Sequence, residues 1–492
     1  MSLLQIQMRD LTGFQATRLN ILTLRPNSKV HWLAYALAVH VCGDPEGAVG
    51  VLDNYFETLN EHSEEFKRGF ESSELALYKN KVLSETKPSG ECDDADDELA
   101  GVKKALEHLD QITDVIVDQT GWLQAKLSYQ LQLGMFDAAI ETCFSLFNRG
   151  CTEDHSVHGA YMCALLKCDR ETCSEVGKMR GTATLATLRP LSEEERAILL
   201  HAYGVSASTY AANETVTENG SSGNKDGLSS VFPKSIAIKR IHLTLLSPTS
   251  AEFRTAVDRH CQRQIIKGVP SLGLDISALY LIEDKQQRNK KNENGDVEPR
   301  LVLAHDPVDV KMHPVYRMMV ELVDSYINSL AAHHTFPNDS VEHPPSVLLW
   351  AWYLRSVLHE EAAEYAQGIT LINKCIEHTP TGVDFYELKA RLLEAGGDIQ
   401  QAADVVDAGR DLDHQDRYIN NQTTKTFLRA GREEEARKRI SMFTRHEGNP
   451  EQNLYDMQCT WYELELADLW AKKGQFGKSL RKYSKSNVMF SV

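Results

Sequence analysis

A spacing of 34 residues recurs along the C-terminal part of this chain. Gly397 and Gly431 stand one such period apart, as do Ala402 and Ala436, and Gly368 stands one period before Ala402. Trp352 and Tyr386 keep the same interval. A repeat of this length holds one helix–turn–helix unit, which cannot bury its apolar face alone and must stack on its neighbours. The small residues are expected to let the two helices of a unit approach closely. An aromatic near the start of the first helix is expected to fill the groove towards the next unit.

The unit "LLWAWYLRSVLHEEAAEYAQGITLINKCIEHTP" puts Trp352 at the large position and Pro380 at the end of its second helix. "VDFYELKARLLEAGGDIQQAADVVDAG" follows with Ala390, Gly397 and Ala402. "NQTTKTFLRAGREEEARKRISMF" carries Gly431 and Ala436, and after "HEGNPEQN" a fourth unit has Ala467, Gly474 and Phe476. Nearer the start, Trp32, Ala36, Gly43 and Ala48 repeat the offsets, and so do Gly134, Phe136 and Ala139. This is tetratricopeptide spacing. The expected fold is all-α, a right-handed α–α superhelix of tetratricopeptide-like helix–turn–helix repeats.

The expected organisation is as follows. Repeats occupy 1–83, an acidic loop 84–100 and further helical repeats 101–205. A low-complexity insertion fills 206–235, and degenerate repeats with a polar loop at 284–300 fill 236–345. Regular repeats occupy 346–485, and 486–492 reads as a truncated tail. "ECDDADDE" (91–98) and "SASTYAANETVTENGSSGNKDGLSS" (206–230) are too polar to bury a core. No segment signals a strand, and "IAIKRIHLTLL" (236–246) reads as a helix boundary or extended linker. "MSLLQIQMRD" starts inside a helical pattern without a cap, and "SKSNVMFSV" breaks one, so a fragment or an incomplete gene model is expected.

Composition excludes several classes. The chain has 492 residues, 42% hydrophobic and 25% charged, with net charge -17. No apolar run approaches the ~18 residues of a membrane span. The acidic balance disfavours general nucleic-acid binding, and no specific DNA contact is expected, though a local basic patch remains compatible with it. The ten cysteines include no CxxC pair, and Cys163, Cys168 and Cys173 recur at five-residue intervals that match no zinc motif. They read as reduced thiols of a cytoplasmic protein. "HEEAAEY" at His359 lacks the second histidine of a zinc protease, and "GSSGNKDG" lacks the phosphate-loop pattern. His40, His201 and His260 stand singly. No catalytic constellation and no metal site are expected.

Three stretches are more specific than the repeat. "SLLQIQMRDLTGFQATRLNILTLRP" (2–26), "DRYINNQTTKTFLRAG" (416–431) and "DMQCTWYELELADLWAKKGQFGKSLRK" (456–482) resemble the auxiliary, ribosome-anchoring subunit of the N-terminal acetyltransferase A complex. The similarity is collinear from residue 2 to about 485 and weakest between 85 and 235. Against the family pattern, the first repeats and the C-terminal half are missing. The resemblance implies a non-catalytic scaffold that wraps and reshapes a small GNAT-fold catalytic subunit and tethers it to the ribosome. It implies no cofactor for chemistry, and inositol hexakisphosphate as a structural ligand between the two subunits. A generic tetratricopeptide adaptor and an RNA-binding helical repeat are the alternative readings.

The basic residues carry the site expectation. Segment 417–445 holds eight Lys/Arg against three Glu, and 471–485 holds six with no acid. Arg417 and Lys425 are expected to converge with Lys472 and Lys473 of the next repeat, with Arg445 nearby, around a polyanion that guanidinium groups grip in two-pronged fashion. Tyr418 is expected to orient Arg417, Asn421 to donate to phosphate oxygens, and Trp461 to pack between repeats.

Overall fold

The computed structural model describes residues 2–59, 69–87, 99–179, 181, 183–204, 227–283, 300–445 and 448–490. The acidic stretch 91–98, most of the low-complexity insertion and the loop 284–299 lie outside these. The described residues are overwhelmingly helical, and they fall into two compact units.

Unit 1 runs to residue 245 and also takes in Arg300 and Leu301. Its helices are α1 (Ser2–Gln7), α2 (Leu11–Leu24), α3 (Lys29–Val41), α4 (Pro45–Leu59), α5 (Phe70–Ser84), α6 (Ala100–Gln111), α7 (Gln119–Gln132) and α8 (Phe136–Asn148). They continue with α9 (His155–Leu165), α10 (Arg170–Lys178), α11 (Leu185–Leu188), α12 (Glu193–Tyr203), α13 (Leu228–Val231) and α14 (Ile236–Leu245). Segment 236–245 is therefore a helix, not a linker. Ile238, Ile241 and Leu245 recur at helical spacing and are buried with Leu199 and Tyr203 in one core.

Unit 2 begins with α15 (Ala251–Lys267) and α16 (Leu272–Ser277). Strands β1 (Leu281–Glu283) and β2 (Leu301–Leu303) then pair as a two-stranded ladder, contrary to the expectation of no strands. Three residues per strand are too few for alternation to show in sequence. The unit continues with α17 (Pro307–Met312), α18 (Pro314–His333), α19 (Pro345–Glu361), α20 (Tyr365–His378), α21 (Val383–Ala395), α22 (Ile399–Arg410), α23 (Arg417–Arg429), α24 (Glu433–Ile440), α25 (Pro450–Asp456), α26 (Thr460–Lys472) and α27 (Phe476–Phe490). Helix α27 carries on through Ser484–Phe490, where a break in the helical pattern was expected.

The glycines between the two helices of each repeat have a different role from the one expected. Gly397, Gly431 and Gly474 have φ of +97°, +83° and +74°. A side chain at any of them would meet nothing within 4 Å, so they are not there for close packing. They end the first helix of each unit in the left-handed conformation that glycine adopts without strain. The Arg432 N–H then closes on the Phe427 carbonyl at 2.9 Å, and the Gln475 N–H on Trp470 at 2.8 Å. Ala363 occupies the same turn position between α19 and α20, with φ +54°. Close approach belongs to the other small set. Ala402 and Ala436 are fully buried, and a Cβ on Gly368 would sit 3.0 Å from Leu392 Cδ2. Tyr386 packs on the second helix of its own repeat, where a Cβ on Gly409 would lie 2.7 Å from the Tyr386 Cβ, and not, as expected, towards the next repeat.

Candidate functional site

The first helices of successive repeats in unit 2, α18, α19, α21, α23 and α26, are cross-linked by a row of ion pairs. Arg355 Nε donates to Asp324 at 2.8 Å. Arg391 grips Glu360 with two bonds of 2.9 Å. Arg429 bridges backward to Glu394 at 3.2 Å and forward to Glu465 at 2.6 Å. Both Asp324–Arg355 and Glu360–Arg391 span 31 residues. That spacing is readable in the sequence, and an acid-to-arginine search near the repeat length would have found the row.

The second helices carry another set. Arg439 pairs with Asp407 through bonds of 2.8 and 2.6 Å, and the buried Arg410 shares that carboxylate at 2.8 Å. The two guanidinium groups hold the Asp407 carboxyl below its usual range, against the opposing effect of its burial. Arg432 reaches Asp404 at 2.6 Å, and Arg437 reaches Glu451 at 3.1 Å.

These pairs remove half of the apparent basic cluster between 417 and 445. Of the eight cations between 417 and 445, Arg429, Arg432, Arg437 and Arg439 are neutralised by acids of their own or neighbouring repeats. Lys473 is held by Glu433 at 3.2 Å, and Lys482 by the fully buried Glu463 at 2.7 Å. Among the described residues Arg417, Lys425, Lys438, Arg445, Lys472 and Arg481 have no carboxylate in ion-pair range. The Lys485 side chain lies outside the described set.

The expected convergence is only partly met. Arg417, Asn421 and Lys425 lie one helical turn apart along α23, so their directions drift by about 40° per step. Arg417 stacks over Phe443, 5.3 Å from the ring centroid, while Lys425 lies 5.1 Å over Trp461 of α26. The two cations thus lean on different neighbours. Trp461 packs between repeats and is also the platform for Lys425. Contacts Lys425–Trp461 and Arg429–Glu465 set α23 and α26 in one register. In that register Lys472 and Lys473 fall eleven and twelve residues beyond the level of Lys425, about 16–18 Å along the helix. Lys473 is moreover committed to Glu433, so the second pair does not close on the first.

Tyr418 does not orient Arg417. Its hydroxyl donates to Glu387 Oε1 at 2.6 Å, and burial together with that carboxylate raises its pKa. Asn421 is half-buried between the two cations, and Arg445 is exposed with its N–H on Asn453 Oδ1 at 3.3 Å. The remaining stripe, Arg417–Asn421–Lys425, presents a cation, an amide and a cation on one helix. It has the donors to bind an anion and no nucleophile or base for catalysis. Among the described residues no group of His, Cys, Asp and Glu is arranged to hold a metal, and no helix is long and apolar enough to cross a membrane.

Comparison with known proteins places this geometry in a family. The family model described as N-terminal acetyltransferase A, auxiliary subunit, matches residues 70–295 and 311–492. The N-terminal acetyltransferase A complex auxiliary subunit NAA15 of Arabidopsis thaliana is 29% identical over 483 residues, 98% of this chain and 44% of that protein. The N-alpha-acetyltransferase 16, NatA auxiliary subunit, of Homo sapiens is 27% identical over 98% of this chain and 45% of its own length. The chain thus spans less than half the length of these curated relatives. A solved structure of Naa15/Naa10 bound to HypK-THB superposes with a TM-score of 0.64 and 25% identity, over 99% of this chain and 59% of that one. The helix–turn–helix array and a family match over most of the sequence lead to one assignment: the chain belongs to the auxiliary-subunit family of N-terminal acetyltransferase A.

Proposed function

We propose that the chain is a non-catalytic scaffold, which binds and reshapes a GNAT-fold catalytic acetyltransferase subunit and tethers it to the ribosome in the cytoplasm for co-translational N-terminal acetylation. The observation that carries this reading is the family match across both units, together with the superposition on a structure whose name pairs Naa15 with Naa10. Physically, a row of interlocked repeats offers a long, rigid surface. Rigid elements position a bound partner more precisely than loops do. The Arg417–Asn421–Lys425 stripe, with Arg445 near the end of the following repeat helix, is the part of that surface suited to inositol hexakisphosphate at the subunit junction. Multiple phosphates would offset the repulsion among unpaired cations.

The test is co-expression with the catalytic subunit of the same organism. The expected result is a stable complex that acetylates peptides beginning with Ser or Ala, no turnover by the chain alone, and co-sedimentation of the complex with ribosomes. Failure to co-purify with any GNAT-fold subunit would overturn the scaffold reading. Failure to sediment would remove the ribosome from it.

A further inference from the structure

Three thiols whose spacing matches no metal motif come together in unit 1. Cys163 lies near the end of α9, Cys168 in the turn that follows, and Cys173 on α10. All three are buried in one core, and the Cys163 thiol is within hydrogen-bond reach of both others. The backbone closes the first pair, for the Cys168 N–H bonds the Cys163 carbonyl at 3.0 Å, past Lys167 at φ +50°. A disulfide needs α-carbons about 4.4–6.8 Å apart. The closed turn sets Cys163 and Cys168 side by side with their thiols in contact. From the α10 side, Cys173 Sγ donates to the Cys168 carbonyl at 3.7 Å.

Proximity alone does not oxidise a thiol, because the thiolate is the reacting form. Cys168 has the surroundings that favour it. Its turn lies at the surface between the exposed Lys167 and Asp169, and it keeps 8% of its own surface open where Cys163 has none. The Arg189 guanidinium acts on its sulfur, and two bonds to Glu195 of 3.0 and 2.6 Å hold that guanidinium in place. The Cys163 contact lowers the Cys168 pKa, burial opposes it, and Arg189 adds to the lowering against Asp169. Cys173 also touches Cys163, but Cys168 and Asp169 both oppose its ionisation. The same thiol contacts raise the Cys163 pKa, so Cys163 stays protonated. Cys42, Cys151 and Cys459 are more exposed, yet burial raises the pKa of each.

We infer that Cys168 and Cys163 form a peroxide-reactive pair, in which Cys168 takes up the oxygen and Cys163 closes a disulfide on it. The Cys168 thiolate attacks one oxygen of hydrogen peroxide, the O–O bond breaks, and the departing hydroxide takes a proton to become water. Cys168 is then a sulfenic acid. The Cys163 sulfur attacks that sulfur, the S–O bond breaks, and hydroxide leaves with the Cys163 proton as a second water. Two thiols are oxidised to one disulfide, and one peroxide is reduced to two waters. The bridge ties the end of α9 to the turn before α10. The pair lies in unit 1, whereas the α23 stripe is in unit 2, and its chemistry is independent of the scaffold reading.

The experiment uses the whole chain, reduced and then freed of reductant. Hydrogen peroxide is added, free thiols are blocked with iodoacetamide, and the protein is digested with trypsin without reduction. Cleavage after Lys167 and Arg170 separates Cys163, Cys168 and Cys173 into three peptides. The expected product joins Cys163 to the Cys168 peptide, with fragment spectra telling Cys163 from Cys151, and dithiothreitol reverses it. Cys163→Ser removes the partner thiol, so Cys168 should be trapped as a sulfenic acid that dimedone labels before Cys42, Cys151 or Cys459. Cys163→Ala provides the same readout if the serine hydroxyl upsets the core. Arg189→Gln, with helicity checked by circular dichroism, is expected to slow bridging by about tenfold through a smaller thiolate fraction. Arg189→Lys keeps the cation and is expected to restore most of the rate. The proposal is overturned if peroxide yields no Cys163–Cys168 bridge, if Cys173 takes the place of Cys168, if dimedone marks a more exposed cysteine first, or if Arg189→Gln bridges as fast as the unmodified chain.

Discussion

Glu361 is the last residue of α19, and its Oε2 is buried. Burial raises its pKa to about 8, with nearby Glu360 adding to the effect and the Tyr280 hydroxyl opposing it. Neither that hydroxyl nor Glu361 Oε2 has a partner at full hydrogen-bond geometry among the described residues, so the desolvation goes largely uncompensated. The native state therefore prefers the neutral acid. Below the ordinary value of 4.5 the carboxyl is protonated whether folded or unfolded, and it costs nothing. As pH rises from there towards 8, the unfolded chain ionises first and gains stability over the native one. Each pH unit in this window carries about 1.4 kcal/mol, a ceiling near 5 kcal/mol across the whole of it. Residual solvent access to this side chain reduces that to about 3 kcal/mol at neutral pH. Glu361→Gln keeps the shape and removes the ionisation. It is expected to stabilise unit 2 by about that amount at pH 7 to 8, and by nothing below pH 4.5. Hydrogen exchange of peptides from α16 and α19, compared between variants across pH 4 to 8, reads the effect locally. Equal protection of the two proteins at pH 8, or a difference that does not change with pH, would refute the reasoning.

Three further outcomes follow from individual contacts. Ala363→Gly should raise stability by about 0.5–1 kcal/mol because Ala363 sits at φ +54°, while Gly431→Ala at φ +83° should lower it by a similar amount, both read from urea midpoints. Lys482→Met leaves the Glu463 carboxylate buried without its cation and should destabilise the α26–α27 pair by about 3 kcal/mol, seen as faster proteolysis of α27, whereas combining it with Glu463→Leu should restore resistance. Lys425→Glu should weaken both assembly with the catalytic subunit and inositol hexakisphosphate binding, with circular dichroism unchanged, since Lys425 is half-exposed and makes no ion pair with a described residue. Normal assembly of that variant would make Lys425 an ordinary solvated lysine.

The repeat was legible because it is written in local chemistry. Turn glycines such as Gly431 and buried alanines such as Ala436 recur at a fixed interval, since each helix hairpin solves the same packing problem. Even so, the reason for the glycines was misread, because spacing alone does not distinguish a left-handed turn from a close approach. Helix α14 was missed for a related reason: Ile236–Leu245 is short and rich in β-branched residues, and only the surrounding core of Leu199 and Tyr203 commits it to a helix. The charge pattern was the least legible part. Counted along the chain, Arg429, Arg432, Arg437 and Arg439 make a basic segment. In space each meets a carboxylate, several of them from a repeat 28 to 36 residues away, and half of the segment's cations are neutralised. Sequence by itself determined which units form, because helix periodicity and turn conformation are set within a few residues. Only the tertiary structure decided which cations stay unpaired, because electrostatic energy depends on distance through space, and stacking brings together residues a whole repeat apart.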